Sequence, residues 1–173
     1  ILGYVTKSFK KITIENIRML LAGYQYGCNI IDLITIVSFL QIGRVKGNKY
    51  ISREVIGKGP EAQFFNKLII GDELIDYIFL WDEVVGFFDK KRKNVMEGFI
   101  EMCEKNSLNH IKVFDVCILR DEIITNMLDI GLNPFYNGLD LPRGSYNLKE
   151  IFKRNIQEGS EQILNIKKAI LDG

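Results

Sequence analysis

The fold class of this chain is determined mainly by the stretch of residues 13–42, TIENIRMLLAGYQYGCNIIDLITIVSFLQI. Its first half repeats apolar residues at helical spacing behind Thr13, a good N-cap, and stops at Gly27, so we predict an amphipathic helix over residues 13–26. Its second half follows Asn29 and is apolar on nearly every face, which predicts a second helix that is central and largely buried. The β-branched residues leave a strand as the alternative, but the length of the segment favours a helix.

The helical pattern continues along the rest of the chain. Capping residues precede apolar ladders at Asp72, Asn94 and Asn109, and a capping box at residues 147–150 begins a last helix that reaches about Leu171. We expect the helix after Asn109 to bury one stripe, formed by Ile111, Phe114, Ile118, Ile123, Met127 and Leu128. We expect the helix after Asp72 to carry Asp76, Asp82 and Glu83 on a face other than its apolar one, and the adjacent pair Asp82 and Glu83 to be solvated. With no convincing strand ladder, the sequence predicts a mainly α fold, a bundle of about seven helices.

Composition narrows the functional classes. The 173 residues are 47% apolar, enough for one core, and 23 Lys and Arg against 22 Asp and Glu give a net charge of +1. This balance excludes a chain-wide basic coat, so any nucleic-acid surface must be local. Three cysteines without paired short spacing predict reduced core thiols in an intracellular, reducing compartment. No apolar stretch is long enough to cross a bilayer, so we expect no membrane partner.

The residues of this chain build no recognisable active site, so we predict no catalytic and no metal-binding residues. Gly57, Lys58 and Gly59 lack the spacing of a phosphate-binding loop. The single histidine, His110, cannot form a two-histidine metal face and fits a surface position at a helix start. Adjacent acidic pairs such as Asp121 and Glu122 diverge by about 100° on a helix, which favours solvated faces over acid–base catalysis.

A loop between the predicted helices concentrates positive charge. Residues 43–59 alternate glycines with Arg44, Lys46, Lys49 and Arg53. Tyr50 lies among them and could stack on a base or anchor the loop. A short hairpin is expected at residues 47–48. This cluster is the best candidate for nucleic-acid contacts in the chain.

Several fragments together resemble the helicase-associated region of DEAH-box helicases. The dense block lies within residues 18–40, where Arg18 to Ala22, then Tyr26 to Cys28, then Asp32 to Leu40 resemble the string that links the winged helix to the ratchet bundle in that family. Further fragments follow in family order: Gly71, Asp72 and Leu74; Arg120 to Ile123; and Ile166, Lys167, Lys168, Ile170 and Gly173. Departures from the cellular family, with abundant Ile, Asn and Lys, favour the divergent helicases of large DNA viruses.

The resemblance implies a domain plan. It implies a truncated winged-helix remnant and the first bundle helices in residues 1–42, the basic loop in 43–59, and a ratchet-like bundle in 60–173 that ends before an OB-fold. Because the chain starts without Met at Ile1 and stops at a helix end, we expect it to be a segment of a longer protein. The motor domains, with ATP and magnesium, would precede it.

The resemblance also implies a non-catalytic role in the floor of a single-stranded RNA or DNA channel, with the motor domains of the parent chain as partners. One predicted helix then adds Asn109, Lys112 and Arg120 as candidate contacts. The alternatives are that Asn109 caps the helix, Lys112 is solvated and Arg120 pairs with a carboxylate. The competing hypothesis is a helical protein-interaction module that binds through Phe135, Tyr136 and Tyr146. The resemblance places the protein in the cytoplasm or nucleus, or at a viral replication site.

Overall fold

The computed structural model describes residues 12–50, 73–88, 93–132 and 164–171. Its helices are α1 (Ile14–Gln25), α2 (Ile30–Ile42), α3 (Glu73–Phe88), α4 (Val95–Lys105) and α5 (His110–Asp129), and residues 164–171 are also helical. The described part holds no strand beyond an isolated antiparallel bridge between Lys46 and Leu108. The predicted mainly α, multi-helix bundle is therefore confirmed, while the division at residues 42 and 59 stays a prediction.

The predicted caps begin the helices where they were expected. Thr13, Asn29 and Asn109 each accept a hydrogen bond on the side-chain oxygen from the backbone N–H three residues later, at 3.3, 3.1 and 3.2 Å. Asn94 precedes α4 without such a bond. Asp72, the predicted cap of α3, lies outside the described residues. Local capping thus fixes the starts of α1, α2 and α5.

The central helix is α2, which packs against α1, α3 and α5. Residues 30–39 are all buried, as an all-round apolar helix requires. The approach of α1 to α2 depends on Gly23, because a Cβ there would collide with the Leu33 side chain and lie 3.0 Å from Ile30 Cδ1. The sequence prediction of a central second helix is confirmed.

Two apolar clusters fill the bundle around this helix. Core A joins α1, most of α2, Ile78 of α3, the second half of α5 and segment 164–171, and includes Ile17, Leu33, Ile123 and Ile166. Core B joins α3, α4, the first half of α5, the end of α2 at Phe39 and the loop at Val45, and also includes Trp81, Phe99 and Val113. Because α2, α3 and α5 each contribute to both clusters, they connect the two halves of the bundle.

The buried stripe predicted for α5 is partly wrong. Ile123 and Met127 are buried as expected, but Ile111, Phe114, Ile118 and Leu128 are 64%, 42%, 46% and 38% exposed. The buried positions are instead Val113, Val116, Leu119, Arg120, Ile123, Ile124 and Met127. Since α5 carries apolar residues on two sides, periodicity alone did not determine which side faces the bundle.

The cysteines of the described residues are free thiols. Cys28 and Cys103 are buried and Cys117 is half-buried, as expected for unpaired core residues. Burial raises the pKa of each of the three thiols to about 11. They are therefore protonated and weakly nucleophilic near neutral pH.

Candidate nucleic-acid interface

The described part of the basic loop, residues 43–50, is fixed to the start of α5. Gly47 N–H donates to the Ser107 carbonyl at 2.7 Å, and Asn109 N–H donates to the Val45 carbonyl at 2.9 Å. Between these bonds, Val45 is 1% exposed and belongs to core B. The backbone of the loop therefore rests on the bundle along an antiparallel bridge.

The turn predicted at residues 47–48 is present. Tyr50 N–H donates to the Gly47 carbonyl at 3.1 Å, which closes a four-residue turn. Any second strand of the predicted hairpin would fall after Tyr50, outside the described residues. The pairing that the structure does describe joins the loop to residues 107–109.

Lys46 has its charge compensated inside this arrangement. Its Nζ lies 2.7 Å from Asp76 Oδ2, 4.3 Å from the centre of the Tyr77 ring and 5.1 Å from that of Tyr50. The Lys46 side chain is 14% exposed. We call these four residues, Lys46, Tyr50, Asp76 and Tyr77, the loop latch. They give the ammonium a carboxylate and two aromatic faces, which together offset its partial desolvation.

Asp76 and Tyr50 are the two latch residues whose positions bear on predictions made from the sequence. Asp76 was expected on a face other than the apolar one, but it is 3% exposed, because Lys46 provides the counter-charge that lets a carboxylate be buried. For Tyr50 two roles were open, and its half-buried ring lies against Lys46 and core B, which corresponds to anchoring the loop. Tyr77 in turn stacks on Phe39, with ring centres 4.5 Å apart.

The other candidate residues lie on the loop and at the start of α5. Arg44, Lys49 and Asn109 are exposed, and Lys112 is half-buried one helical turn from Asn109. Asn109 is joined to the loop through the Val45 carbonyl and also caps α5, as its alternative role predicted. We call Arg44, Lys49, Asn109 and Lys112 the basic edge. Arg53 lies outside the described residues.

The basic edge has the electrostatics of an anion-binding surface. Arg44 and Lys49 are exposed cations on a loop whose backbone is bonded to Ser107 and Asn109, just before α5, and the N-terminus of a helix also favours negative charge. The described residues contain no cluster of three or more His, Cys, Asp or Glu placed to hold a metal ion. His110 occupies the first position of α5 and is half-buried.

Arg120 lies in the interior and not at the basic edge. It is 2% exposed, its Nε donates to Thr35 Oγ1 at 3.0 Å, and its guanidinium carbon lies 4.6 Å from the centre of the Trp81 ring. Burial lowers the pKa of Arg120, and the negative charge of Asp32 opposes that effect. A nucleic-acid strand has no access to this side chain, so we do not include Arg120 in the interface.

Asp32 completes the interior group, which we call the Arg120 cluster: Asp32, Thr35, Trp81 and Arg120. Burial at 1% exposure raises the pKa of Asp32 well above its usual range, and the Arg120 charge only partly opposes this. Asp32 Oδ2 and Arg120 Nη2 find no hydrogen-bond partner in the described part of the chain. The cluster joins α2, α3 and α5 through polar groups.

Two polar residues of α2, Asp32 and Thr35, indicate in the sequence that the buried helix has polar partners. Asp32 and Thr35 interrupt an otherwise apolar, buried helix, and buried polar groups require partners. The Thr35 hydroxyl donates locally to the Ile31 carbonyl at 3.0 Å, but the group that donates to it, Arg120 Nε, lies 85 residues away in the sequence and could not be deduced from local pattern. The aromatic loop residues Phe135, Tyr136 and Tyr146 lie outside the described residues.

Comparison with known proteins finds relatives that are similar to this chain in sequence. Proteins named "Putative RNA Helicase B962L" of African swine fever virus are similar to this chain. The protein of a Namibian warthog isolate is 25% identical over 157 residues, and the match covers 79% of this chain and 16% of the relative. The protein of a South African tick isolate is 25% identical over 156 residues, and that of a Kenyan pig isolate 23% identical over 156 residues, each covering 78% of this chain and 16% of the relative.

The similarity concerns a small part of those viral proteins. At 16% coverage, this chain spans about one sixth of their length. No protein-family model matches the chain, and no solved structure matches it. The names of the relatives agree with the expected resemblance to helicases of a large DNA virus at that general level. Assignment to the DEAH-box class stays a prediction.

Proposed function

We propose that this chain is a non-catalytic accessory region of an RNA helicase and forms part of its single-stranded nucleic-acid channel. The observation that carries the proposal is similarity over 79% of the chain to proteins that bear the name of an RNA helicase. The chain matches only a limited part of those proteins, which suits an accessory region. ATP and magnesium would then bind to motor domains elsewhere in the parent protein. We place that parent protein inside the cell.

The basic edge is the surface proposed to contact the strand. Arg44 and Lys49 are exposed on a loop whose backbone is hydrogen-bonded to the bundle, so their positions are defined relative to the helices. Lys and Arg bind phosphates of any sequence, and such contacts release counterions. A few local cations are enough for a surface that must also release the strand at each step, which agrees with the net charge of +1.

Fluorescence anisotropy with a labelled single-stranded oligouridylate tests this proposal. We expect weak binding. The logarithm of the association constant should fall linearly with the logarithm of salt concentration, with a slope of about −0.7 for each phosphate contact. The double variant Arg44→Glu with Lys49→Glu is expected to abolish binding. Lys168→Glu is the matched control, because Lys168 is exposed on segment 164–171, away from the loop in sequence.

Three outcomes would contradict the proposal. Binding that is insensitive to salt would exclude a phosphate-directed surface. Equal losses for the double variant and the Lys168→Glu control would remove the basic edge as the site. ATP hydrolysis by the purified chain would show that it is catalytic. An oligodeoxythymidylate of the same length, measured alongside, distinguishes an RNA preference from general single-strand binding.

A protein-interaction module is the second candidate, and α5 carries the observation that favours it. Ile111, Phe114 and Ile118 form an exposed apolar stripe at helical spacing. The proposed occupant is another domain of the parent protein, because the relatives extend far beyond the matched region. Size-exclusion chromatography with the separately expressed remainder of the parent protein tests it. Phe114→Glu should abolish co-elution, and co-elution that survives this change would contradict the candidate.

A further inference from the structure

We propose that Lys46 is a positioning residue that fastens the basic loop to the bundle, so that Arg44 and Lys49 meet a single strand from fixed positions. Sequence alone placed Lys46 among the strand contacts, as one cation of the basic loop. The structure assigns it a different task, because its charge is already compensated within the loop latch. The inference rests on the proposed function for its ligand, single-stranded RNA.

The latch joins two parts of the fold that are distant in sequence. Lys46 and Tyr50 belong to the loop after α2, whereas Asp76 and Tyr77 belong to α3. The 2.7 Å contact between Lys46 Nζ and Asp76 Oδ2 and the 4.3 Å approach to the Tyr77 ring fasten the loop to that helix. The stacking of Tyr77 on Phe39 makes the attachment point part of core B.

The backbone on both sides of Lys46 has little freedom to move. The bonds from Gly47 N–H to Ser107 and from Asn109 N–H to Val45 enclose the residue. At Gly47, a Cβ would lie 2.6 Å from Ser107 Oγ and 3.0 Å from the Ser107 carbonyl oxygen, so the loop approaches residue 107 as closely as a glycine permits. The turn after Gly47 then brings the Tyr50 ring back over the Lys46 ammonium.

The exposed cations flank this fastened segment. Arg44 lies two residues before Lys46 and Lys49 three residues after it, and both are exposed while Lys46 is mostly enclosed. A loop fixed in advance loses less conformational entropy when it binds. Lys46 should therefore contribute to affinity by ordering the loop, without neutralising a phosphate itself.

Salt dependence separates a positioning residue from a contact residue. Lys46→Met keeps most of the side-chain length and removes the charge, and Arg44→Met and Lys49→Met do the same at the exposed positions. With labelled oligouridylate, we expect Lys46→Met to lower affinity about threefold to tenfold at every salt concentration, with an unchanged slope. Each of the other two variants should reduce the slope by about 0.7. A slope reduced as much by Lys46→Met would make Lys46 a direct contact and overturn the proposal.

A second variant, Asp76→Asn, should change the affinity for the oligonucleotide in opposite directions for the two possible roles of Lys46. The substitution preserves the size of the side chain and removes the counter-charge of Lys46. If Lys46 is a positioning residue, Asp76→Asn loosens the loop and weakens binding. If Lys46 contacts phosphate, the freed ammonium strengthens binding and steepens the salt dependence, and that result would also refute the proposal.

Amide hydrogen exchange tests the latch without any nucleic acid. The N–H groups of Gly47 and Asn109 hold the loop to the bundle, and the N–H of Leu33 bonds within core A at 3.1 Å from the Asn29 carbonyl. We expect Lys46→Met to speed exchange at Gly47 and Asn109 at least tenfold and to leave Leu33 unchanged. Unchanged exchange at all three would exclude the latch. If the wild-type chain binds no oligonucleotide, the proposed function fails, and the exchange result still decides the latch.

Discussion

The loop latch and the Arg120 cluster each hold one cation in the same bundle, but they satisfy it differently. Lys46 retains 14% exposure and has a carboxylate oxygen at 2.7 Å and two aromatic rings around it. Arg120 is 2% exposed, and one of its nitrogens and one oxygen of Asp32 lack hydrogen-bond partners in the described residues. Asp76 Oδ2 likewise accepts no hydrogen bond, but it forms an ion pair with Lys46. The latch is therefore a compensated pair near the surface, and the Arg120 cluster is a polar group confined by the fold.

Their positions explain this difference. The latch borders core B and fastens a loop whose neighbours are exposed. The Arg120 cluster lies where both cores meet, because Trp81 belongs to core B and Leu119, beside Arg120, belongs to core A. Loss of the latch should release a loop, whereas loss of Arg120 should disturb the packing of three helices. Burial of a cation therefore does not reveal its role, because Lys46 and Arg120 differ in the groups that surround them.

The largest expected effect is that of Arg120→Met on stability. The variant removes the guanidinium and leaves Asp32 buried without its opposing charge. We expect the free energy of unfolding to fall by about 3 kcal/mol, because the variant loses the hydrogen bond from Arg120 Nε to Thr35 Oγ1 and the contact with the Trp81 ring at a site that is 2% exposed. Urea unfolding measures it. Arg18→Met, on the exposed face of α1, is the control and should change stability by less than about 0.5 kcal/mol. If Arg120→Met lowered the free energy of unfolding as little as Arg18→Met, Arg120 would not be a residue that supports helix packing, and its contrast with Lys46 would be lost.

The next effect is the pH dependence that Asp32 gives to stability. Because burial raises the pKa of Asp32, the folded chain holds this proton more tightly than the unfolded chain, whose Asp pKa is about 3.9. Its contribution to stability is therefore lost as pH rises from about 4 to the raised pKa, by about 1.4 kcal/mol for each unit of elevation. Urea unfolding across pH should show this fall in the wild type, and Asp32→Asn should remove it. Identical pH profiles for the two proteins would contradict the assignment.

A smaller effect is expected when the latch is broken. Asp76→Asn should lower the free energy of unfolding by about 1–2 kcal/mol, because Lys46 keeps both aromatic faces and partial access to water. The same urea assay measures it, with Asp115→Asn on the exposed face of α5 as the matched control. A loss as large as that of Arg120→Met would mean that the latch supports the whole bundle and not only the loop.

The elements that were predicted correctly are those determined by local chemistry. Thr13, Asn29 and Asn109 cap their helices through bonds that reach three residues along the chain, and such patterns can be read from the sequence. The central position of α2 followed from its all-round apolar character. The mainly α class needed nothing more than these signals.

The predictions that failed depended on contacts between distant segments. Both sides of α5 carry apolar residues, and only the placement of the neighbouring helices decides that Val113 is inside and Phe114 outside. The burial of Asp76 requires Lys46, thirty positions earlier, and Arg120 finds its acceptor on α2. For the candidate site, the basic loop stays a prediction, and local pattern could not separate the exposed Arg44 and Lys49 from the enclosed Lys46.

The smallest effect is expected on the outer side of α5, and it sharpens the contrast between exposed and enclosed residues on a single helix. Ile111→Gln should change the free energy of unfolding by less than about 0.5 kcal/mol, because Ile111 is 64% exposed. Val113→Ala, at 0% exposure in core B, should lower it by about 2 kcal/mol, since it loses two methyl groups from a packed site. Urea unfolding of both variants measures the difference. A large loss for Ile111→Gln would mean that the outer stripe is covered within the chain and is not a free surface, which would also remove the observation that favours a protein-interaction role.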